Sequence, residues 1–442
     1  KLRYLVFIIL AFVLYVLLGI ILSYIRHPQV SKEYQEGFDP KECYSDQASC
    51  DRACVIEDNE EALNERLNRI ILSTFDFHAD KSGKDVIAAL IEAADRGVDV
   101  KILVDGFSAL QQMDGNTYFQ ALSTMDKVEI RIYNRINLLM PWKSMGRLHD
   151  KYVIIDDDLY LLGGRNTYDY FLGDHGYKNY DRDVLVYTPE PENQESSIHH
   201  FESVWKLDVC KPFYNDSKNA SIEKVAQARE ELKKRYQKMI QEFPEMEEAR
   251  DYTERTFEVN RITLLYNPTH VYSKEPTLFY SLKRLMEETD EEVAIHTPYF
   301  ICNDWMYQSF ADICEENPNV TMMTNSVANN GNPFGASDFQ KNKGRLLETG
   351  LKIQEYEGGV SYHGKSITIG DELAIVGSFN MDMRSAYLDT ELMLVVDSKE
   401  VTSQLKGYME AYEADSVKVL DEENYEIPEG VERQELTKKR EQ

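Results

Sequence analysis

Basic residues are scarce in this 442-residue sequence: 49 Lys and Arg stand against 77 Asp and Glu, which gives a formal net charge of −28. Affinity for nucleic acid comes largely from the displacement of counterions by a basic surface, so the composition disfavours a general nucleic-acid-binding protein. It also disfavours broad adsorption to anionic lipid. Any contact with a phosphate must therefore be local and made by a few well-placed cations.

The sequence also lacks the compositional bias of disordered and collagen-like chains. Aromatic residues make up 11% and charged residues 29%, and both values are typical of globular proteins. At roughly 100–200 residues per domain, the length indicates two or three domains with cores of their own.

Charge is absent from one long stretch. Between Tyr4 and Ile25 only Ser23 is plainly polar. The stretch matches the roughly 20 residues that a helix needs to cross a bilayer and exceeds the roughly 7–15 apolar residues of a signal-peptide core. The sequence therefore predicts a single-pass membrane anchor within residues 1–30, and a signal peptide is the alternative.

The side of the membrane is less well determined, because basic residues flank the apolar stretch at both ends. Three of the six cysteines (Cys43, Cys50 and Cys54) follow the stretch closely, in a pattern that suits disulfides in an oxidising compartment. Six reduced thiols are the alternative, and the spacing does not match a zinc site. The pattern favours a catalytic body outside the cytoplasm.

Beyond a polar connector at residues 31–58, helical and strand-like patterns alternate, which is typical of layered α/β domains. An amphipathic helix over 85–97 leads into a strand at 98–105, and a lysine- and glutamate-rich stretch at 222–243 predicts an exposed helix within a bridge at 213–258. Further strands are predicted at 128–133, 152–155, 159–162, 184–187, 293–296, 320–323 and 351–356. The pattern divides the chain into two halves, 59–212 and 259–412, followed by an acidic tail at 413–442.

The two halves carry the same polar motif. In each half a His-x-Lys triplet opens a strand, a second strand leads into a Gly-Gly or Gly-Ser pair, and an asparagine follows the histidine by 17 residues. The motif residues are His149, Lys151, Gly164 and Asn166 in the first half and His363, Lys365, Ser378 and Asn380 in the second. Duplicated halves commonly build one site at their pseudo-two-fold interface, so we expect the two motifs to meet.

Two imidazoles, two ammonium groups and two carboxamides form a phosphate site that needs no metal. One imidazole can act as nucleophile and the other as general acid. The nucleophilic imidazole needs a carboxylate on its second nitrogen. Asp183 and Glu391, which follow the histidines by 34 and 28 residues, are the candidates for that role.

The repeated motif resembles the paired signature of the phospholipase D superfamily. Residues 93–98, 163–166, 297–300, 324–326 and 378–385 further resemble bacterial cardiolipin synthases of this type. The resemblance implies an α/β fold in which two similar α/β/α sandwich halves pack around a pseudo-two-fold active site, preceded by a transmembrane helix. It assigns Asp156 to support of the first motif's loop, whereas the second motif has Gly370 at that position and Asp371 one residue later.

The resemblance also implies a ping-pong phosphatidyl transfer without cofactor or metal. His149 would form a phosphohistidine, His363 would act as general acid and then base, and the motif lysines and asparagines would hold the phosphoryl oxygens. Phosphatidylglycerol in the membrane would be both donor and acceptor, and no stable nucleic-acid partner is expected. The alternative functions are a hydrolytic phospholipase D, a nuclease and an inactive scaffold. The roles of the two histidines could also be exchanged.

Overall fold

The fold is that of a computed structural model, which describes residues 2–66, 71–155, 158–189, 195–214, 222–242, 244 and 250–434. The helices as far as residue 255 are α1 (Leu2–Ile25), α2 (Lys32–Gly37), α3 (Asn59–Arg66), α4 (Lys81–Asp95), α5 (Gly106–Ser108), α6 (Thr117–Ser123), α7 (Glu195–Trp205), α8 (Glu223–Glu242) and α9 (Tyr252–Arg255). The strands as far as residue 258 are β1 (Arg52–Ile56), β2 (Ile71–Thr74), β3 (Val100–Asp105), β4 (Val128–Tyr133), β5 (Tyr152–Ile155), β6 (Leu159–Gly163), β7 (Asp183–Tyr187), β8 (Cys210–Pro212) and β9 (Phe257–Glu258).

Helices and strands also alternate in the remainder of the chain. Its helices are α10 (Thr277–Glu287), α11 (Asp304–Glu316), α12 (Pro333–Leu347), α13 (Met383–Tyr387) and α14 (Lys399–Glu413). Its strands are β10 (Arg261–Tyr266), β11 (Val293–His296), β12 (Phe300–Ile301), β13 (Val320–Asn325), β14 (Lys352–Tyr356), β15 (Ser366–Ile369), β16 (Leu373–Gly377), β17 (Met381–Asp382), β18 (Leu392–Asp397), β19 (Ser416–Val419) and β20 (Tyr425–Glu426).

The two large sheets have the same strand order. The first runs β8-β4-β3-β2-β5-β6-β7-β1-β9, and the second, from its opposite edge, runs β20-β19-β14-β13-β11-β15-β16-β18-β10. In each sheet three neighbouring strands are parallel, and the strands on both sides of them pair antiparallel. The predicted α/β duplication is confirmed, because eight consecutive strands of one sheet match eight of the other in order and direction.

The period-2 alternation of the strands explains how the layers stack. In β6, Leu161 packs into the core beneath α4 and α6, whereas its neighbour Leu162 faces the opposite way. The opposite face joins a cluster that also contains Ala374 and Val376 of β16. The two sheets therefore pack face to face through strands next to the His-x-Lys motifs, while most helices cover their outer faces.

Helix α8 differs from the exposed bridge helix that the composition predicted. Its apolar residues recur every three or four positions and are buried against α4 and α6. The many charged residues of the helix lie on its other face. The buried residues are Val225, Ala228, Leu232, Tyr236 and Met239. The helix thus completes the core of the first half, and Phe243 of the predicted helix lies outside the described residues.

Two segments outside the predicted halves also belong to the sheets. Strand β1, within the expected connector, pairs with β7, and β19, within the expected tail, pairs with β14. Both strands are short, with four or fewer apolar residues each, so the sequence pattern alone does not distinguish them from loops.

Helix α1 is long and apolar enough to cross a membrane, a property that an N-terminal signal sequence would share. Most of its surface is exposed, and Gly19 and Ser23 are its buried residues. After it, Cys43 and Cys54 lie buried in different core clusters, and burial raises the pKa of the Cys43 thiol to about 11 and that of Cys54 to about 12. These two cysteines are therefore buried, protonated thiols and are not bonded to each other.

Candidate active site

The two His-x-Lys triplets lie at the junction between the halves, each just before the first strand of an antiparallel pair. The residue before each histidine forms a parallel bridge with the other half: Leu148 pairs with Thr390, and Tyr362 pairs with Tyr180. These two bridges repeat the same geometry on either side of the pseudo-two-fold axis. The structure therefore brings the two motifs together, as the repeat predicted.

The first histidine is held by a carboxylate from the second half. Nδ1 of His149 lies 2.8 Å from Oε1 of Glu391, and the backbone N–H of His149 donates to Oγ1 of Thr390. Hydroxyl groups of Ser378 and Ser385 donate to the same carboxylate at 2.5 and 2.6 Å. Fixed in this way, the ring keeps Nε2 as its reactive nitrogen.

The second histidine is held by a carboxylate from the first half. Nδ1 of His363 lies 2.6 Å from Oδ2 of Asp181, and its backbone N–H donates to the carbonyl of Tyr180. Nζ of Lys365 reaches Oδ2 of Asp181 at 3.4 Å and also contacts the imidazole of His363. Each half thus supplies one histidine and the carboxylate that orients the histidine of the other half.

Asp183 does not contact either histidine, although the sequence argument placed it there. Its Oδ2 accepts from Arg66 at 2.8 Å and from Arg165 at 3.3 Å, and the carboxyl is fully buried. The strand register explains the difference. Asp183 pairs with Gly163 and Met393 pairs with Gly377, so the structural counterpart of Glu391, two residues before Met393, is Asp181.

The Gly-Gly pair makes room for this carboxylate. A Cβ at Gly164 would lie 2.2 Å from Oδ1 of Asp181, so no larger residue fits without displacing the carboxyl group. At the matching position of the second half, Ser378 uses its hydroxyl to donate to Glu391. Gly164 therefore makes room for one of the two carboxylates that hold the histidines, and Ser378 donates to the other.

The motif lysines are almost completely buried. Nζ of Lys151 donates to the carbonyl of His149 at 2.7 Å, and burial lowers the pKa of Lys151 to about 7 despite the attraction of Glu391. Burial likewise lowers the pKa of Lys365, against the attraction of Asp181. Two ammonium groups with little solvent are suited to a bound anion, which would compensate their charge.

The motif asparagines differ in their bonding. Oδ1 of Asn166 accepts from the backbone N–H of Asp76 at 3.3 Å, which orients its amide group. Oδ1 of Asn380 is buried with no hydrogen-bond partner. An unsatisfied buried amide end is costly, and such groups in a site commonly await a ligand.

Burial dominates the protonation of both imidazoles. It lowers the pKa of His149 well below its usual value, with Lys151 adding to the effect. It lowers the pKa of His363 to about 4, with Lys365 adding to the effect and Asp181 opposing it. Both rings are therefore uncharged at neutral pH before an anion enters.

The carboxylates respond in opposite directions. Burial alone would raise the pKa of Asp181, but Lys365 and the bond from His363 hold it below the usual range. Burial raises the pKa of Glu391 to about 8, against Lys151 and the two serine hydroxyls. Asp181 is therefore ionised at neutral pH, whereas burial favours the neutral form of Glu391.

The remaining motif-support position cannot be compared between the halves, because Asp156 lies outside the described residues. In the second half, Gly370 adopts a φ of 53°, and Asp371 is exposed and pairs with Lys406 at 2.6 Å. Within the described ranges, no group of three or more His, Cys, Asp or Glu side chains is placed to hold a metal ion.

The sequence argument missed several residues that shape the site. Asp181 carried a signal, because it lies two residues before Asp183 in the same acidic segment. It follows His149 by 32 residues, which is closer than the 34 residues of Asp183 to the 28 residues between His363 and Glu391. Phe75 and Phe171 stack edge-on against His149 and His363, with ring centroids 5.4 and 5.0 Å apart. These contacts join segments distant in sequence and left no local pattern.

Comparison with known proteins identifies the family of the chain. The family model described as "Cardiolipin synthase, PLD-like domain" matches residues 60–205 and 282–412. Cardiolipin synthase C of Escherichia coli (strain K12) is 24% identical over 373 residues, which cover 74% of this chain and 75% of that protein. An uncharacterized protein of Helicobacter pylori (strain ATCC 700392 / 26695) is 24% identical over 401 residues, which cover 80% and 78%.

Among solved structures, phosphatidylserine synthase of Haemophilus influenzae Rd KW20 matches with a TM-score of 0.61 at 16% identity, covering 85% of this chain and 89% of that one. This likeness confirms the fold. Because the family model matches most of both halves, including both His-x-Lys motifs, the chain belongs to the cardiolipin synthase-type family of phospholipase D-like enzymes.

Proposed function

We propose that the protein is a membrane-anchored phosphatidyltransferase that makes cardiolipin from two molecules of phosphatidylglycerol. The observation that carries the proposal is the crossed pairing, His149 with Glu391 and His363 with Asp181. Each histidine has one nitrogen fixed by a carboxylate, so a phosphodiester between the two rings meets a nucleophile on one side and a proton donor on the other.

In the first step, Nε2 of His149 attacks phosphorus and the P–O bond to the leaving glycerol breaks. His363, protonated in the presence of the phosphate anion, gives its proton to the departing oxygen. Positive charge develops on the imidazole of His149 as the N–P bond forms, and Glu391 stabilises it. The products of this step are glycerol and a phosphatidyl group on His149.

In the second step, the terminal hydroxyl of another phosphatidylglycerol gives its proton to His363 and its oxygen attacks phosphorus. The N–P bond breaks, His149 is restored and cardiolipin is formed. In this proposal, Nζ of Lys151, Nζ of Lys365 and Nδ2 of Asn380 donate to the phosphoryl oxygens in both steps. With water in place of the second lipid, the same steps release phosphatidic acid.

A lipid substrate is supported by α1. An apolar helix of 24 residues holds the active site close to a bilayer and so raises the local concentration of phospholipid. The net charge of −28 argues against a nucleic-acid substrate. In this proposal the helix is an anchor that stays on the mature protein, with the catalytic body outside the cytoplasm.

The experiment incubates the purified full chain with phosphatidylglycerol vesicles in the presence of EDTA and identifies products by mass spectrometry. Cardiolipin and glycerol in equal amounts are expected. Phosphatidic acid alone would replace the transferase with a hydrolase. No turnover of any phospholipid, while an active family member works in parallel, would overturn the proposal in favour of an inactive scaffold.

A further inference from the structure

A short apolar loop between β4 and β5 packs against α1. Its exposed residues are Leu138, Leu139, Met140 and Trp142, and Leu139 is 72% exposed. Four large apolar side chains in five consecutive positions are unusual on a surface in water. Their arrangement next to the apolar helix calls for an explanation.

Polar and small residues on one face of α1 hold the loop. The hydroxyl of Tyr15 donates to the carbonyl of Leu139 at 2.7 Å, and that of Ser23 donates to the carbonyl of Trp142 at 3.1 Å. Between them, Gly19 lies so close to Pro141 that a Cβ would be 2.4 Å from the proline ring. Positions 15, 19 and 23 are one helical turn apart, so they form a continuous contact face.

The position of this contact along α1 sets the depth of the loop. A helix rises about 1.5 Å per residue, so Tyr15 lies roughly 15 Å from the end of the helix at Ile25. The uncharged part of α1 between Arg3 and the contact, residues 4–14, is only about 17 Å long, whereas the hydrocarbon core is about 30 Å thick. If α1 spans the bilayer, its contact face lies in the hydrocarbon, and so does the loop.

The hydrogen bonding of the loop is compatible with a position in the hydrocarbon region. Backbone N–H groups of Leu139 and Met140 donate to Asn137, and the carbonyls that face α1 accept from its hydroxyls. Non-helical chain in lipid requires paired backbone groups, and these four groups of the loop meet that requirement. At the base of the loop, Nζ of Lys143 lies 5.5 Å from the ring of Tyr272, an aromatic and basic pair of the kind found at membrane surfaces.

The base of the loop is tied to the catalytic histidine. The amide of Asn134 donates at 2.7 Å to the carbonyls of both Lys143 and Gly146, three residues before His149. Asn134 adopts a φ of 46°, which lets its side chain fold back on the loop. The base of the loop is therefore held by hydrogen bonds close to the active site.

We propose that the loop of residues 138–142 is a second membrane element, inserted into the same leaflet as the C-terminal end of α1, which fixes the active site against the lipid surface. It rests on the proposed function only in assuming that α1 is retained as a membrane span. The two elements together restrain rotation about the helix axis, which a single span would leave open.

The direct test uses the fluorescence of Trp142. The chain has three tryptophans, so the double variant Trp205→Phe and Trp305→Phe leaves Trp142 alone. We expect vesicles of acyl-brominated phosphatidylcholine to quench this residue and aqueous iodide not to quench it. Quenching by iodide without quenching by brominated lipid would overturn the inference.

A matched pair of variants tests the consequence for turnover. Leu139→Glu places a charge at the loop tip, and Leu420→Glu does the same at another exposed leucine, in the turn after β19. We expect the first to lower turnover of vesicle lipid by about tenfold, since a carboxylate is costly in hydrocarbon. Both variants should keep wild-type turnover of a monomeric short-chain phosphatidylglycerol. Equal effects of the two variants on vesicles would overturn the inference.

These outcomes separate the inference from the proposed function. Lipid transfer with Trp142 exposed to water would refute the membrane loop and leave the transferase in place. A lipid-quenched Trp142 in a protein that turns over no phospholipid would refute the transferase and leave the membrane loop in place.

Discussion

Nδ1 of His149 lies 2.8 Å from Oε1 of Glu391, a residue 242 positions further along the chain and in the other half of the molecule. The second histidine repeats this relationship with Asp181 in the opposite sense. Neither half therefore holds both a histidine and the carboxylate that orients it. The two halves therefore form a single site, and each imidazole is oriented only when the halves pack together.

The crossed carboxylates lead to a first prediction. We expect Glu391→Gln and Asp181→Asn each to lower kcat by about a hundredfold or more, because the imidazole loses the group that fixes its tautomer and balances its charge. KM should change little, since neither carboxylate is placed to touch the lipid. Steady-state kinetics on phosphatidylglycerol measures both constants, and an unchanged kcat in either variant would contradict the assignment.

The neighbouring carboxylate should behave differently. Asp183 neutralises two buried guanidinium groups, Arg66 and Arg165. Removal of one partner from a buried ion pair costs roughly 3–5 kcal/mol. We therefore expect Asp183→Asn to lower the midpoint of urea unfolding markedly, while the folded fraction keeps a near-normal kcat. A large loss of kcat at unchanged stability would return Asp183 to the catalytic group.

The contrast between Asp181 and Asp183 indicates how far the sequence could go. The motif strands, the 17-residue offset of each asparagine and the duplication follow from local patterns, and the structure contains all of them. The carboxylate partner depends on how two halves dock and on a loop that is four residues longer in the first half than in the second. Docking of the halves has no local signature, and because the two loops differ in length, the offset from the histidine does not select between Asp181 and Asp183. The prediction therefore fell two residues away from Asp181.

The same limit explains α8. The sequence of this helix is dominated by charged residues, which predict exposure. Its apolar stripe, which includes Leu232 and Tyr236, is buried only because α4 and α6 pack against it. The burial of Lys151 and Lys365 is likewise a tertiary property. A lysine in a sequence is usually predicted to be exposed to solvent. Only the folded structure shows that these two lysines are buried beside the histidines.

The assignment of nucleophile and acid can be tested by trapping. With a phosphatidyl ester of p-nitrophenol, the leaving group needs no proton, so His363→Ala should still release nitrophenol in a burst and accumulate a phosphatidyl adduct. We expect intact-mass and peptide analysis to locate the adduct on His149. The variant His149→Ala should show neither burst nor adduct. The reverse pattern would exchange the roles of the two histidines.

Binding of an anion should draw protons into the site. Burial lowers the pKa of His363 to about 4 and that of Lys151 to about 7. A bound phosphodiester favours the charged forms and so raises both pKa values, which means that protons are taken up. The uptake should be present at pH 5 to 8 and disappear below pH 4, where His363 is already protonated.

Calorimetry in buffers with different ionisation enthalpies measures this uptake, with a short-chain phosphonate analogue of phosphatidylglycerol as the ligand. At pH 5, where Lys151 is already charged, His363→Ala should lower the uptake, and the part that remains belongs to His149, whose pKa is also lowered by burial. Near pH 8 it should leave the part that belongs to Lys151. Proton release at either pH would contradict the direction of both shifts.

The last prediction concerns Gly164, whose absent side chain leaves room for Asp181. An alanine Cβ there would lie 2.2 Å from one carboxylate oxygen, so Gly164→Ala should push Asp181 away from His363 and lower kcat by about as much as Asp181→Asn does. Gly407→Ala is the matched control. It lies within α14 with no neighbouring atom within 4 Å of the added carbon, so it should leave activity unchanged and stabilise the helix by about 0.5–1 kcal/mol. If Gly164→Ala proved as active as Gly407→Ala, the carboxylate would have to tolerate displacement, and orientation of His363 by Asp181 would no longer explain the activity.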